Sequence, residues 1–433
     1  MTDAPHSLQD IAKRIEGYDA SALPIAQARD FLDRLVPRVR EVQRVPLHSA
    51  LGRVLARDVI SQMNVPPRDN SAMDGYALGG DELNADAPTQ FQVTGTAFAG
   101  QPFEGEVAPG HCLRIMTGAV MPSGCDTVVP QEFVHVANER VTVPAGTVRT
   151  GDNRRLAGED LKLGEVALPA GRVITPADLG LLASLGQAEV EVFRPLRVAF
   201  FSTGNELRSI GETLDPGCVY DSNRYTLWAM LKRLNVEVLD LGVVPDEPAA
   251  LTETFLQAAA QADAIITSGG VSVGEADHTK QVMAQLGDVL FWTVGMRPGR
   301  PMAIGRIPHA ARIESGGAIL FGLPGNPVAV MVTFYALVRD ALLAMSGAAA
   351  QPLPMMRVAA AQGIRKKPGR TEYQRGIIST GADGRQTVRI TGAQGSGILR
   401  SMSEANGLIV LHHDQGTVAA GDLVDVMPFY GLM

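Results

Sequence analysis

The chain is poor in cysteine. Its 433 residues hold three, Cys112, Cys125 and Cys218, an odd number with no CxxC pair. A disulfide framework and a cysteine-built zinc site are excluded as organising principles, and a reducing compartment is expected. Long hydrophobic runs are scarce too. The longest, "VAVMVTFYALV" at 328–338, is followed by Arg339 and Asp340. That is too short for a bilayer span, so no membrane association is expected. The opening "MTDAPHSLQDIAKRIEGYD" has no apolar signal core, which makes the cytoplasm the expected location. Basic charge is not in excess: 38 Lys+Arg against 46 Asp+Glu leaves a net −8. A nucleic-acid binder needs a basic face, so no nucleic-acid partner is expected. An anionic small molecule stays open, because a local arginine cluster can dominate a cleft. HExxH, zinc-ligand spacing, GxSxG and a Walker A loop are all missing.

What is present is a globular chain rich in turns, with 46 Gly and 27 Pro, long enough for two to four domains. "PIAQARDFLDRLVPRV" has apolar residues at Ile25, Ala28, Phe31, Leu32, Leu35 and Val36, the spacing of an amphipathic helix. Residues 45–61 suggest a short strand, a turn and a short helix. Residues 62–150 read as an inserted all-β domain of short segments between Gly and Pro turns. Residues 151–195 return to a mixed pattern and group with 1–61 as an N-terminal mixed domain. Within them "TPADLGLLASLG" reads as a helix opened by Thr175 and Pro176 and closed by Gly186.

Residues 196–346 alternate apolar strands ("LRVAFFST", "NVEVLDLGVV", "DAIITS", "GAILFGLPG") with helices. That alternation predicts a doubly wound α/β domain, a parallel sheet covered on both faces. After a linker at 347–354, residues 352–433 read as a C-terminal β domain, barrel-like in pattern. The fold class is therefore multidomain α/β plus β.

In such a sheet, ligands bind at the carboxyl ends of the strands. Three unusual turns fall there. "STGNEL" carries Glu206. "TSGGVSVGEADHTK" has little bulk at Ser268, Gly269, Gly270 and Ser272, so backbone N–H groups can approach an anion. A helix beginning near Asp277 adds partial positive charge. "GLPGNP" makes a stiff turn through Pro324, Gly325, Asn326 and Pro327, with Asn326 a candidate N-cap. Each also has an ordinary structural meaning as a β-to-α turn, a capped helix start or a rigid turn. Three at corresponding strand ends point to a functional cleft. Arg297 and Arg300 of "MRPGRPM" could meet phosphate through their forked donors. Two further basic runs are Arg154 with Arg155 in "DNRRLAGED", and "KKPGR" at 366–370. Asp74, Glu206, Asp246 and Asp277 lie in or beside loops, hard oxygen ligands of the kind that suit Mg²⁺.

"PPRDNSAMDGYAL" (66–78), "RIMTG" (114–118), "GED" (158–160), "FSTGNEL", "TSGGVSVGEADHTK" and "GLPGNP" together resemble the MoeA family of molybdopterin molybdenumtransferases, and the related region of gephyrin. The resemblance covers nearly the whole chain, in order. It implies a four-domain elongated homodimer with a cleft shared between subunits and a central domain of molybdopterin-binding type. The implied substrates are adenylylated molybdopterin and molybdate, with Mg²⁺ assisting and AMP released. It further implies that Asp74 and Thr117 come from the partner subunit. Glu206, Asp246 and Asp277 would hold metal or adenylate, Pro324 and Pro327 would shape the pterin-facing loop, and Ser396 of "QGSG" would approach from the C-terminal domain. A molybdopterin adenylyltransferase is an implied partner. One departure stands out: Arg297 and Arg300 replace the lysines associated with the family's "KPGKP", keeping charge but losing a group able to shed a proton. Two other readings are a non-catalytic scaffold on the same fold and a pterin adenylyltransferase.

Overall fold

The computed structural model describes residues 7–271, 278–310 and 316–429. Asp277 and Ser272 lie outside the described residues.

The centre is a six-stranded sheet. Its elements are β1 (Arg197–Thr203), α1 (Ser222–Arg233), β2 (Glu237–Val244), α2 (Pro248–Gln261), β3 (Ala264–Ser268), α3 (His278–Leu286), β4 (Asp288–Thr293), β5 (Pro301–Ile307), β6 (Ala318–Leu323) and α4 (Pro327–Thr333). The strand order is β2-β1-β3-β6-β5-β4. Alternate residues of β1 serve opposite faces, as the period-2 pleat requires. Val198 and Phe200 join one core with Leu227, Leu231 and Val328, while Ala199 and Phe201 join the other with Leu251 and Phe255. The sheet is thus covered on both faces.

It is not wholly parallel. β2, β1, β3 and β6 run parallel, but β5 is antiparallel to β6 and β4 to β5. β4, β5 and β6 follow one another with no crossover helix among the described residues between them, and short connections permit only antiparallel neighbours. Sequence reading left β4 and β5 unassigned and noted only the Pro-Gly turn between them.

The apolar run at 328–338 is a core helix. α4 continues through a π turn, Phe334–Val338, into the helix Arg339–Met345. About four-fifths of this stretch (78%) is buried inside the protein. The helix Ile25–Leu35 lays Ala28, Phe31, Leu32 and Leu35 into the same core, where Phe31 meets Trp292 edge-on at 5.1 Å.

Before the central sheet lies a second six-stranded one, built from segments between Gly75 and Val143. The helix Pro176–Ser184 is opened by a capping box, Thr175 with Asp178, and Pro176 begins it as expected. The short helix expected in 45–61 is reduced to one 3-10 turn, Leu47–Ser49, directly after the strand Val42–Pro46, and the rest is not helical. Val54 bridges Val173, Leu55 bridges Val192, and Val59–Ile60 pairs with Val166–Leu168, so distant strands override local helix propensity there.

The C-terminal strands close on themselves. Thr371–Thr380, Gln386–Ile390, Met356–Ala360, Leu423–Pro428 and Gly407–Leu411 follow in order, and the last pairs back to the first. A two-residue strand from the central unit, Met296–Arg297, adds in parallel to Thr371 and Glu372. This joins the arginine turn to the barrel.

Candidate functional site

Ser202, Ser268 and Leu323 are register partners across β1, β3 and β6. The three turns seen in the sequence therefore leave the sheet at one level. They open on a cleft of about 1150 Å³. Glu206, Asp246, Ser268, Gly269 and Gly270 line one part of it. Pro324, Gly325, Asn326 and Pro327 line another, and Arg297 and Arg300 a third. Ser396 reaches it from the barrel.

The turns are fastened to one another. Asn205 Oδ1 accepts from the Asp246 N–H at 3.2 Å, and the Thr279 hydroxyl donates to Asp246 Oδ1 at 3.2 Å. The Gly269 N–H donates to the Leu323 carbonyl at 3.1 Å. Gly269 and Gly270 sit at φ +98° and +67°. A Cβ on Gly269 would stand 2.5 Å from the Thr203 carbonyl oxygen, and one on Gly270 would meet Thr279. The requirement for glycine at both comes from neighbouring protein, before any ligand is considered.

Asn326 occupies the N-cap position of α4, but its side chain makes no capping bond. Instead the Val328 N–H donates to the Ser396 carbonyl at 3.0 Å, so the barrel loop caps the helix. Behind that loop sits Arg375, fully buried. Its Nε donates to Ser401 Oγ at 2.9 Å and its Nη2 to the Gly395 carbonyl at 2.9 Å. Nη1 is buried with no partner among the described residues. Burial first, and the positive Arg297 second, pull the Arg375 guanidinium down to about 10. Arg370 also lines the cleft, its Nε bonded to Glu372 at 3.1 Å. The run "KKPGR" is thus no simple solvated face. Lys366 is itself buried and donates to three carbonyls, those of Lys367, His413 and Gln415.

Asp74 and Thr117 stand elsewhere, beside the 75–143 sheet. Asp74 Oδ1 accepts from both the Thr117 N–H, at 2.7 Å, and its hydroxyl, at 2.6 Å. These bonds, with Arg114 behind them, hold the Asp74 carboxyl below its ordinary range. Within one chain the two are brought together, but not into the cleft.

Sequence reading missed Asp221 and Asn223, which lie in the cleft wall at the start of α1. "DSN" before a helix signals only a cap, and no local pattern tells where the second oxygen of an aspartate goes.

Three family models match in tandem: the MoeA N-terminal region (domain I and II) at 23–186, a probable molybdopterin binding domain at 199–344, and the MoeA C-terminal region (domain IV) at 357–429. A molybdopterin molybdenumtransferase of Haemophilus influenzae is 40% identical over 95% of this chain and 100% of its own length. The chain belongs to the MoeA family. Another family member, a molybdopterin molybdenumtransferase of Nostoc, is 36% identical over 93% of this chain and 94% of its own. Gephyrin of Dictyostelium discoideum is 30% identical over 89% of this chain and 59% of its own. The crystal structure of a MoeA molybdopterin biosynthesis protein from Pyrococcus horikoshii superposes with a TM-score of 0.79 at 27% identity, covering 94% of this chain and 100% of that one. The family resemblance drawn from short motifs therefore holds along the chain.

Proposed function

We propose that this chain is a molybdopterin molybdenumtransferase of molybdenum cofactor biosynthesis. In this reading it inserts molybdate into adenylylated molybdopterin and releases AMP. The observation that carries the reading is the convergence of three anion-suited turns with Arg297, Arg300 and Arg370 on one cleft.

The described donors suit Mg²⁺ in company with substrate. Glu206 and Asp246 are oxygen donors on the same cleft. Among the described residues no group of three or more His, Cys, Asp or Glu could hold a metal alone. Mg²⁺ typically takes one or two carboxylates and completes its shell with water and substrate phosphates. Glu206, Asp246 and Asp277 would hold it, and it would supply positive charge at the phosphate oxygens.

The chain's own part is positioning and charge neutralisation. Arg297, Arg300 and Arg370 bind the phosphates and molybdate. The Thr279 hydroxyl keeps the Asp246 carboxylate aimed. Ser268 and the Pro324–Pro327 turn seat the pterin. Molybdenum is ligated by the substrate's sulfurs, so no protein thiolate is required. Burial agrees, pushing the Cys112 and Cys125 thiols up to about 12, where they are poor ligands. Asp74 and Thr117 enter the cleft of a partner subunit in a homodimer, and a molybdopterin adenylyltransferase delivers the pterin.

The test is incubation with adenylylated molybdopterin, Mg²⁺ and molybdate. Molybdate-dependent AMP release is the expected result, and an intact adenylate would refute the proposal. A tungstate arm reports metal preference. Asp277→Asn is expected to abolish release while pterin binding survives.

A further inference from the structure

Two acceptor oxygens on residues of the cleft wall have no donor among the described residues. Asp221 is 2% exposed and Asn223 7% exposed, and both line the cleft. Asp221 caps α1, its Oδ1 accepting from the Arg224 N–H at 3.1 Å. Its Oδ2 is buried with no hydrogen-bond partner among the described residues. Asn223 spends Nδ2 on two bonds, to Ser268 Oγ at 2.8 Å and to the Gly325 carbonyl at 2.7 Å. A carbonyl can only accept, so the second bond fixes which end of the amide is nitrogen. The other end, Oδ1, is buried and likewise unpartnered among the described residues.

A buried acceptor left without a donor is a net cost to the fold. The fold does not require either oxygen. Serine caps a helix about as well as aspartate, and the Asn223 clamp uses only its nitrogen. Two such acceptors, two residues apart on one wall, complement a ligand edge that carries N–H donors. A ring presenting a carbonyl there would set oxygen against oxygen.

We propose that Asp221 Oδ2 and Asn223 Oδ1 receive the amino edge of the substrate's fused nitrogen heterocycle, which makes both specificity-determining residues. The inference rests on the function proposed above, whose substrate holds two such rings, a pterin and an adenine. Asn223 has a second effect. Because Ser268 Oγ accepts from Nδ2, the Ser268 O–H is left to donate toward an anion.

The experiment uses the full-length protein with Asp221→Asn and Asp221→Ser. Both keep a capping oxygen for the Arg224 N–H, so thermal midpoints should stay close to that of the unsubstituted protein. Affinities for molybdopterin and for AMP are titrated separately. Asparagine places an amino group against the ligand's own, and serine merely deletes the oxygen. The expected result is a loss of about tenfold or more for one ligand in Asp221→Asn, with a smaller loss in Asp221→Ser and the other ligand within about twofold. The ligand that weakens identifies the ring. Unchanged binding of both ligands would overturn the inference. Equal weakening of both would do so too, because that is what collapse of the wall produces. A loss seen only in Mg²⁺ titrations would overturn it in favour of a metal contact. If the unsubstituted protein bound neither ligand, the proposed function would fall and this inference with it; normal binding with indifferent variants sinks the inference alone.

Discussion

The Val328 N–H donates to the Ser396 carbonyl at 3.0 Å, so a loop of the C-terminal barrel caps a helix of the central unit. Arg375 stands behind that loop and holds Gly395 and Ser401. Arg375→Met keeps the bulk but strands those partners. It should cost about 2–4 kcal/mol, the scale of losing charged hydrogen bonds in a buried setting. Urea unfolding measures the loss, and AMP release should fall with it as the Ser396 loop loosens.

Gly270→Ala should destabilise by about 1–3 kcal/mol, since it meets both a positive φ and Thr279. Adding Thr279→Ser removes the methyl but keeps the closer Cβ, so it should restore only a small part of the loss. A double-mutant cycle in thermal denaturation reads the coupling. Strict additivity would show that the backbone angle alone sets the penalty.

Asp74→Asn and Glu206→Gln should each abolish AMP release. If Asp74 serves the partner's cleft, mixing the two variants after mild dissociation should restore about a quarter of normal turnover, since half the dimers are mixed and one cleft in each is whole. No recovery from mixed dimers would place Asp74 outside the shared cleft.

The capping box at Thr175 predicts a pH effect. Burial alone would raise the Asp178 pKa, but hydrogen bonds from Arg172 and Thr175 outweigh it and hold the carboxyl below the ordinary aspartate value. A depressed acid contributes stability above its unfolded value and loses it as pH falls through the folded one. Urea midpoints should therefore drop below the ordinary aspartate range more steeply in the native protein than in Asp178→Asn. The asparagine variant should lose about 1 kcal/mol at neutral pH.

Much of this molecule is legible in its sequence alone, wherever a local pattern settles the outcome. Ala28, Phe31, Leu32 and Leu35 announce one buried stripe, and Thr175-Pro176 announces a capped start. The alternation of "LRVAFFST" and "DAIITS" with helices predicts the covered sheet, and three turns at strand ends predict the cleft. What stayed hidden depends on distant partners. The antiparallel β4 and β5 are defined by the strands beside them. Leu55 is kept from helix by Val192. The glycines of "TSGG" suggest a ligand's approach, yet Thr203 and Thr279 already demand them. Asp221 and Asn223 look like a cap in sequence, and only packing reveals which of their oxygens finds no donor among the described residues.

The pairing of Met296–Arg297 with Thr371 and Glu372 gives the barrel a second hold on the central unit, apart from the bond between Val328 and Ser396. A body pinned at one point can swivel in any direction. Pinned at two, it can turn only about the line that joins them. Here the two holds flank a shared core, which Tyr373, Leu408, Val410 and Met427 of the barrel join with Val328 and Met331 of the central unit, and that buried face resists the remaining turn. The barrel and the arginine turn should therefore move as one piece. An incoming anion would meet its cationic groups at settled distances, with little ordering left to be done on binding.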